Sequence, residues 1–412
     1  MNKYLLQVLF FSFLNFWFNP SQAQAPGCTD PNAINYNPSA TENNGACSYA
    51  LTHYQPVFLS DLPNPIRETS GLISWNGSLW TINDSGNSPT LFELDSSSGS
   101  IINRYHLKQI TNIDWEAITQ NDSFIFIGDF GNNLGNRQDL RIIKIAKSDL
   151  LQGSQDSVAN ELIYFHYPEQ QNFIPSNRNT PWDAEAFFWH EDALHIFTKD
   201  WTNEQTTHYL LPDTEGSYAA QKKESFPVAG LITDVSRNPE NGHIVLLGYT
   251  KTYQAFAWLL FDYKEGLLFS GNKRRLALPL TATLGQVEGI CFTGPYQGRI
   301  SGEAIVSNSL GINLPPKLYA FDFTSYFTPG NPSSITDRQS SKQINAYPNP
   351  AKETVTVILP REMELHIHNK AGILIWSQVL KEGTHTIPCS GWSKGIYTIS
   401  SKGYVPVKLS IN

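Results

Sequence analysis

A polar residue followed by a small and then an apolar one recurs through the middle of the chain. It stands as Ser70-Gly71-Leu72, Glu116-Ala117-Ile118, Glu185-Ala186-Phe187 and Glu288-Gly289-Ile290, with Thr233-Asp234-Val235 as a looser copy. Successive copies lie 46, 69, 48 and 55 residues apart. Each is followed 13 to 20 residues later by the end of a second apolar run, at Asp84, Asp129, Asp200, Tyr249 and Asn308. A period of about 50 residues built from roughly four short strands is the signature of a β-propeller blade. Five copies give five blades, or six if the long second interval hides a degenerate one. That interval carries two insertions, at residues 151–160 and 170–181.

The runs between the repeats support an all-β reading. β-Branched and aromatic segments at 78–83, 90–95, 124–128, 140–145, 162–166, 194–199, 243–249, 255–263, 303–308 and 317–323 alternate with turn residues. No amphipathic helix stands out over residues 51–325. The fifth unit lacks an outer strand, because linker sequence follows Phe323 almost at once. A lone strand-like run at 53–59 is placed to supply it and close the ring. With 412 residues, 40% of them hydrophobic, the chain can bury more than one core. The net charge of −8 and the scattered basic residues give no nucleic-acid footprint.

An apolar run at 4–18 behind Lys3 has the proportions of a signal peptide, with cleavage after Ala23, and is too short to span a bilayer. No other stretch is long and apolar enough, so no transmembrane segment is expected in the mature chain. Residues 24–50 follow as a separate module in which Cys28 and Cys47 flank Ala33-x-Asn35-Tyr36-Asn37-Pro38-x-Ala40. It resembles a short module of secreted Bacteroidota proteins. In an oxidising compartment Cys28 and Cys47 should pair, closing a loop worth roughly 3 kcal/mol. Asp30, Asn32, Asn35, Asn37, Glu42 and Asn43 are oxygen donors of the kind calcium takes, or turn residues bonding their own backbone. Cys291 and Cys389 fall in different domains and read as unpaired.

The propeller spans 51–323, and residues 324–342, rich in Pro, Gly, Ser and Asn, read as a linker. Beyond them stand Tyr347-Pro348-Asn349-Pro350-Ala351, Leu365-x-Ile367-x-Asn369-x-x-Gly372, Trp392-x-x-Gly395-Ile396-Tyr397 and Val407-Lys408-Leu409. Over 343–412 these resemble the C-terminal sorting domain (type A) of proteins secreted by the type IX system of Bacteroidota. The resemblance implies a small β-sandwich, handling by the type IX machinery, delivery to the medium or the outer surface, and removal of the sorting domain.

The innermost strand of each blade lines the channel of a propeller, so the repeat aims Glu116, Glu185 and Glu288 at one axis. Carboxylates gathered in a partly dehydrated channel either retain protons or bind a cation, and hard oxygen ligands select calcium. Alternatively each Glu accepts backbone N–H groups of the neighbouring blade and locks the ring. A second cluster, Asp84, Asp129, Asn132, Asn133 and Arg137, sits just after second strands, where loop residues either bind a polar ligand or make turns. Trp115, Trp182 and Trp201 flank these positions and either stack on a carbohydrate or pack between blades. Through Glu68-Thr69-Ser70-Gly71-Leu72, Glu116-Ala117-Ile118 and Glu288-Gly289-Ile290 the domain resembles gluconolactonase/senescence-marker and phytase-like propellers. That resemblance implies a metal-binding channel Glu, from which Ser70 and Thr233 depart. Over residues 51–323 there is no His-Glu-x-x-His, Gly-x-Ser-x-Gly or Walker motif. Two functions follow: a module binding an extracellular ligand, or a metal-dependent hydrolase (esterase, phosphoesterase or glycosidase) working through the channel carboxylates.

Overall fold

The computed structural model describes residues 24–151, 158–307, 311–327, 345–359, 361–370, 372–401 and 407–411. The expected signal peptide lies outside them, as does the expected linker after Phe327. The chain forms two compact units, residues 1–330 and 331–412.

Five antiparallel sheets follow one another along the first unit, each built on one copy of the repeat. Blade 1 is Thr69–Trp75, Ser78–Asn83, Thr90–Asp95 and Ile101–His106. Blade 2 is Trp115–Gln120, Phe124–Asp129, Arg141–Ala146 and Glu161–His166, with Gly216–Ala219 added in parallel at its edge. Blade 3 is Asp183–His190, Ala193–Lys199, Thr206–Pro212 and Gln221–Phe226. Blade 4 is Leu231–Arg237, Ile244–Tyr249, Gln254–Phe261 and Asn272–Leu280. Blade 5 is Gln286–Phe292, Gln297–Glu303, Lys317–Asp322 and, from the start of the domain, Val57–Asp61. The long second interval therefore holds loop and not a sixth blade among the described residues.

The ring is closed by packing as well as by that borrowed strand. Five apolar clusters sit between successive blades. Trp80 and Leu91 meet Trp115 and Ile127 between blades 1 and 2, and Phe126 and Phe130 meet Phe187 and Tyr209 between 2 and 3. Phe188 and Phe197 meet Leu246 and Phe256 between 3 and 4, and Leu247 and Leu259 meet Ile290 and Tyr319 between 4 and 5. Cys291 and Leu318 meet Leu72 and Phe92 across the closure. The inner strands of each sheet are thus buried on both faces, which is why they read as continuous apolar runs without clean alternation, whereas outer strands such as Ile101–His106 and Glu161–His166 alternate.

Two strands are displaced from the sequence reading. The closing strand is Val57–Asp61, not 53–59, and Thr52–His53 pairs instead with the edge of blade 4. The second strand of blade 5 is Gln297–Glu303, not 303–308, because two glycines, Gly298 and Gly302, dilute its β-forming character.

Cys28 and Cys47 form a disulfide, and Cys291 and Cys389 are free and buried. The N-terminal module rests on blade 4: Asn43 Nδ2 donates to Asn272 Oδ1 at 3.0 Å, and Lys264 pairs with Glu42 at 2.9 Å. Its polar side chains cap their own turns. Oδ1 of Asp30, Asn37 and Asn43 each accept the N–H two residues on, and Asn35 Oδ1 accepts Ser48 N.

The second unit is a sandwich of two sheets. One holds Asn345–Tyr347, Thr354–Leu359 and Gly383–Pro388; the other Leu374–Leu380, Met363–Asn369, Gly395–Ser400 and Val407–Ile411. Val355, Val357, Leu365, Ile367, Ile399 and Leu409 fill the core between them. The Tyr-Pro-Asn-Pro motif has a structural task. Asn349 receives Ser410 N on Oδ1 at 2.9 Å and donates to Lys408 O at 2.8 Å, tying the domain's start to its last strand. The Tyr347–Pro348 and Asn349–Pro350 peptides are cis. Gly372 makes a turn at φ +77°, and Gly395 opens the strand it begins.

Candidate functional site

All five inner strands break register at the repeat, leaving one residue without a partner across the ladder. These are Gly71, Glu116, Glu185, Thr233 and Glu288. A bulge bends the strand and re-aims the side chain at that point, which gives the tripeptide its physical meaning. Gly71 has φ +67°, and a Cβ there would stand 2.7 Å from Ile118 N, so this crossing needs glycine.

The ring lock is made by the copies that lack Glu. Ser70 Oγ donates to Glu116 O, Thr233 Oγ1 donates to Val287 O at 2.7 Å, and Asp234 Oδ2 accepts Ile290 N at 2.6 Å. The three glutamates do something else. Among the described residues none accepts a backbone N–H: Glu185 pairs with Lys199 Nζ at 3.0 Å, and Glu288 Oε1 receives Gln286 Nε2 at 2.6 Å. The second oxygen of Glu288 is buried without a hydrogen-bond partner. Glu116 joins Asp84 and Asp114, one oxygen from each lying within 4.8 Å of the others. Gly131 covers this group, and a Cβ there would overlap Glu116 Oε1 and Asp114 Oδ2.

The site is a basin of buried negative charge. Burial, then Glu185, Asp84 and Asp114, hold the Glu116 carboxyl well above its ordinary range. Asp114 is pushed up to about 7 by burial, Asp84 and Asp183. Glu288 also reaches about 7, with burial outweighing the opposing pull of Lys199. Glu303 rises to about 9 through burial, Glu288 and Asp84, and burial raises Asp84. Burial disfavours the charge on Lys199, but Glu185, Tyr249, Glu288 and Asp183 more than offset it, so its ammonium stays charged. It lies 5.0 Å from the Trp201 ring and 5.5 Å from that of Tyr249. One buried ammonium among this many carboxyls leaves a surplus that only protons or a further cation can neutralise.

The other sequence candidates are spent mostly on scaffolding. Asp129 is fully buried and receives Arg137 at 3.1 Å, Arg141 at 2.8 Å and the Asp114 N–H at 3.0 Å. Asn132 donates its N–H to Asp183 Oδ1 at 2.6 Å and accepts Arg137 N at 2.9 Å. The Asn133 carbonyl receives Arg178 N at 2.8 Å. Trp115 is buried between blades, and Trp201 Nε1 donates to Asp183 Oδ2 at 2.7 Å. Asp84 alone of this cluster reaches the carboxylate group.

Sequence reasoning missed Asp114, Glu303 and Lys199. Asp114 had a visible signal, since a polar residue stands two before the repeat position in Glu68-Thr69-Ser70, Asp114-Trp115-Glu116, Asp183-Ala184-Glu185 and Gln286-Val287-Glu288. Glu303 was hidden by the misplaced strand, although it faces Gln286 as Lys199 faces Asp183.

Residues 345–405 match the family of secretion system C-terminal sorting domains. The chain is thus a five-bladed propeller carrying a type IX sorting domain, exported to the cell surface or the medium. No helix among the described residues is long and apolar enough to cross a membrane. No curated protein matches the chain. Solved structures with some likeness include the type IX surface component PorZ of Porphyromonas gingivalis, at 10% identity and TM-score 0.30, over 84% of this chain and 45% of that one. An exo-β-1,3-galactanase of Phanerochaete chrysosporium has 12% identity and TM-score 0.41, over 91% and 93%. An aldose sugar dehydrogenase of Streptomyces coelicolor has 9% identity and TM-score 0.38, over 64% and 96%. None of these passes an activity, substrate or partner to this chain.

Proposed function

We propose that the protein is an exported binding module whose axial carboxylates hold a divalent cation of the calcium type, through which the propeller engages an extracellular ligand. The carrying observation is the convergence of Asp84, Asp114 and Glu116 within 4.8 Å, in a basin where burial already raises their proton affinity. A divalent ion would relieve that repulsion, and an all-oxygen ligand set suits calcium. Glu288, with its unpartnered oxygen, and Glu185, held by Lys199, supply further negative charge around the ion. On this reading residues 1–23 leave as a signal peptide and the type IX machinery recognises the sorting domain.

A hydrolase is the second reading, because burial pushes the carboxyls of Asp114 and Glu288 up to about 7, where a carboxyl can give or take a proton at neutral pH. Ester, phosphoester and glycan screens with Glu288→Gln as control address it. Calcium calorimetry on the mature protein tests the first. Asp114→Asn and Glu116→Gln should each lower affinity by on the order of tenfold or more, since ligand charge sets calcium affinity. Unchanged affinity in both would sink the proposal.

A further inference from the structure

The inner strands run on from the carboxylates to the opposite face of the propeller. Gln120 stands four positions beyond Glu116, about 13 Å of strand. At that far end all five strands contribute to a cavity of about 580 Å³. Leu72, Ile118 and Val235, each nearly fully buried, line its inner part.

Its walls are mainly aromatic and basic, unlike the acidic end. The half-buried rings of Trp75, Trp189 and Phe292 face it, interspersed with the hydroxyls and amides of Ser74, Asn121 and Ser236. Lys147 and Arg237 supply two cations. Lys147 lies 4.9 Å from the Trp75 ring and donates to Gln120 Oε1 at 2.8 Å and Asn121 O at 2.7 Å. Its orientation is therefore fixed by groups that carry no charge. Among the described residues no carboxylate lies within ion-pair distance of Lys147 or Arg237. The one carboxylate on the wall, Asp122, is exposed.

Aromatic faces beside hydroxyls and amides match a ring with one apolar face and a rim of hydroxyls. Two cations with no carboxylate at ion-pair distance match a single anionic group, and the guanidinium fork of Arg237, which also meets the Tyr263 side chain, suits a carboxylate. We propose that this cavity binds a sugar acid, its ring against the tryptophans and its carboxylate on Arg237. A longer polyanion fits poorly. The adjoining cavity between blades 3 and 4, which shares His190 and Arg237, carries Glu191, Asp262 and Glu265. Repulsion there confines the ligand to one acidic residue, terminal or free.

The test is calorimetric titration of the full-length protein with galacturonic acid, galactose and inorganic phosphate. Galacturonic acid should bind, with galactose and phosphate each weaker by on the order of tenfold, because a charge-assisted hydrogen bond and the ring contacts are lost in turn. Arg237→Gln should bring galacturonate down to the galactose level while calcium binding by the carboxylate site stays unchanged. If Arg237→Gln does not fold, Arg237→Lys carries the test. It keeps the charge, loses the fork, and should weaken galacturonate several-fold. Equal binding of galactose, equal binding of phosphate, no binding of galacturonate, or indifference to both substitutions would each overturn the proposal.

Discussion

Replacing Lys199 with Met asks directly whether the basin carries the surplus charge described. Lys199 and Glu185 are 4% and 2% exposed and 3.0 Å apart, and Met keeps an unbranched stem between the rings of Trp201 and Tyr249. The substitution thus removes the charge with little change in packing. Removing one member of a buried pair typically costs about 3–5 kcal/mol, because the other is left as an uncompensated charge. The stranded Glu185 can escape by taking a proton, and its folded-state pKa then rises further above its unfolded value. Such a group stabilises the fold fully below the unfolded pKa and loses that contribution as pH rises. The variant's deficit should therefore be close to 3–5 kcal/mol at about pH 8 and should shrink to about 1 kcal/mol, the net worth of lost hydrogen bonds, at about pH 5. Adding Glu185→Gln should restore most of the loss at high pH, since the buried charge itself is gone. Chemical unfolding followed by fluorescence at the two pH values measures all three variants. A deficit of equal size at both pH values, or no rescue by Glu185→Gln, would refute the electrostatic account of the basin.

Other expectations follow from the same geometry. In chelator, stability should fall as pH rises from about 4 towards 9, because Asp114 and Glu288 at about 7 and Glu303 at about 9 hold protons more tightly folded than unfolded. A thermal-melting series in chelator checks this, and flat stability over that range would contradict it. Paired Cys28→Ser and Cys47→Ser should cost roughly 3 kcal/mol and leave ring closure intact, since the closing strand Val57–Asp61 lies outside the loop; denaturant unfolding measures it. Deleting residues 343–412 should leave the melting of the propeller unchanged and retain the protein inside the outer membrane, read by fractionation. Surface delivery of the truncated chain would contradict that.

The propeller was legible because its repeat is a bulge. A bend needed five times, at one place in each inner strand, leaves five copies of a short pattern, and the borrowed outer strand was visible as an apolar run ahead of the first copy. Individual strands were legible where β-branched and aromatic residues crowd, as in Ser78–Asn83, and not where glycines intervene, as in Gln297–Glu303. The site was legible only in part. Position along the repeat singled out Glu116, Glu185 and Glu288, which all fall at the register break of their inner strands. It could not show which partner each would find, because Lys199, Asp84 and Glu303 arrive from second strands whose ends depend on register. Asp129 illustrates the limit from the other side. In sequence it resembles Asp84, yet Arg137 and Arg141, 8 and 12 residues on, fold back and consume it.

Crystals grown with terbium, a calcium substitute with strong anomalous scattering, test the central claim most directly. The account predicts an anomalous peak at about 2.3–2.6 Å from oxygens of Asp84, Asp114 and Glu116, the range of calcium-like coordination. A map without a peak at the channel, with those three carboxyls hydrogen-bonded to one another as a protonated group, would contradict it.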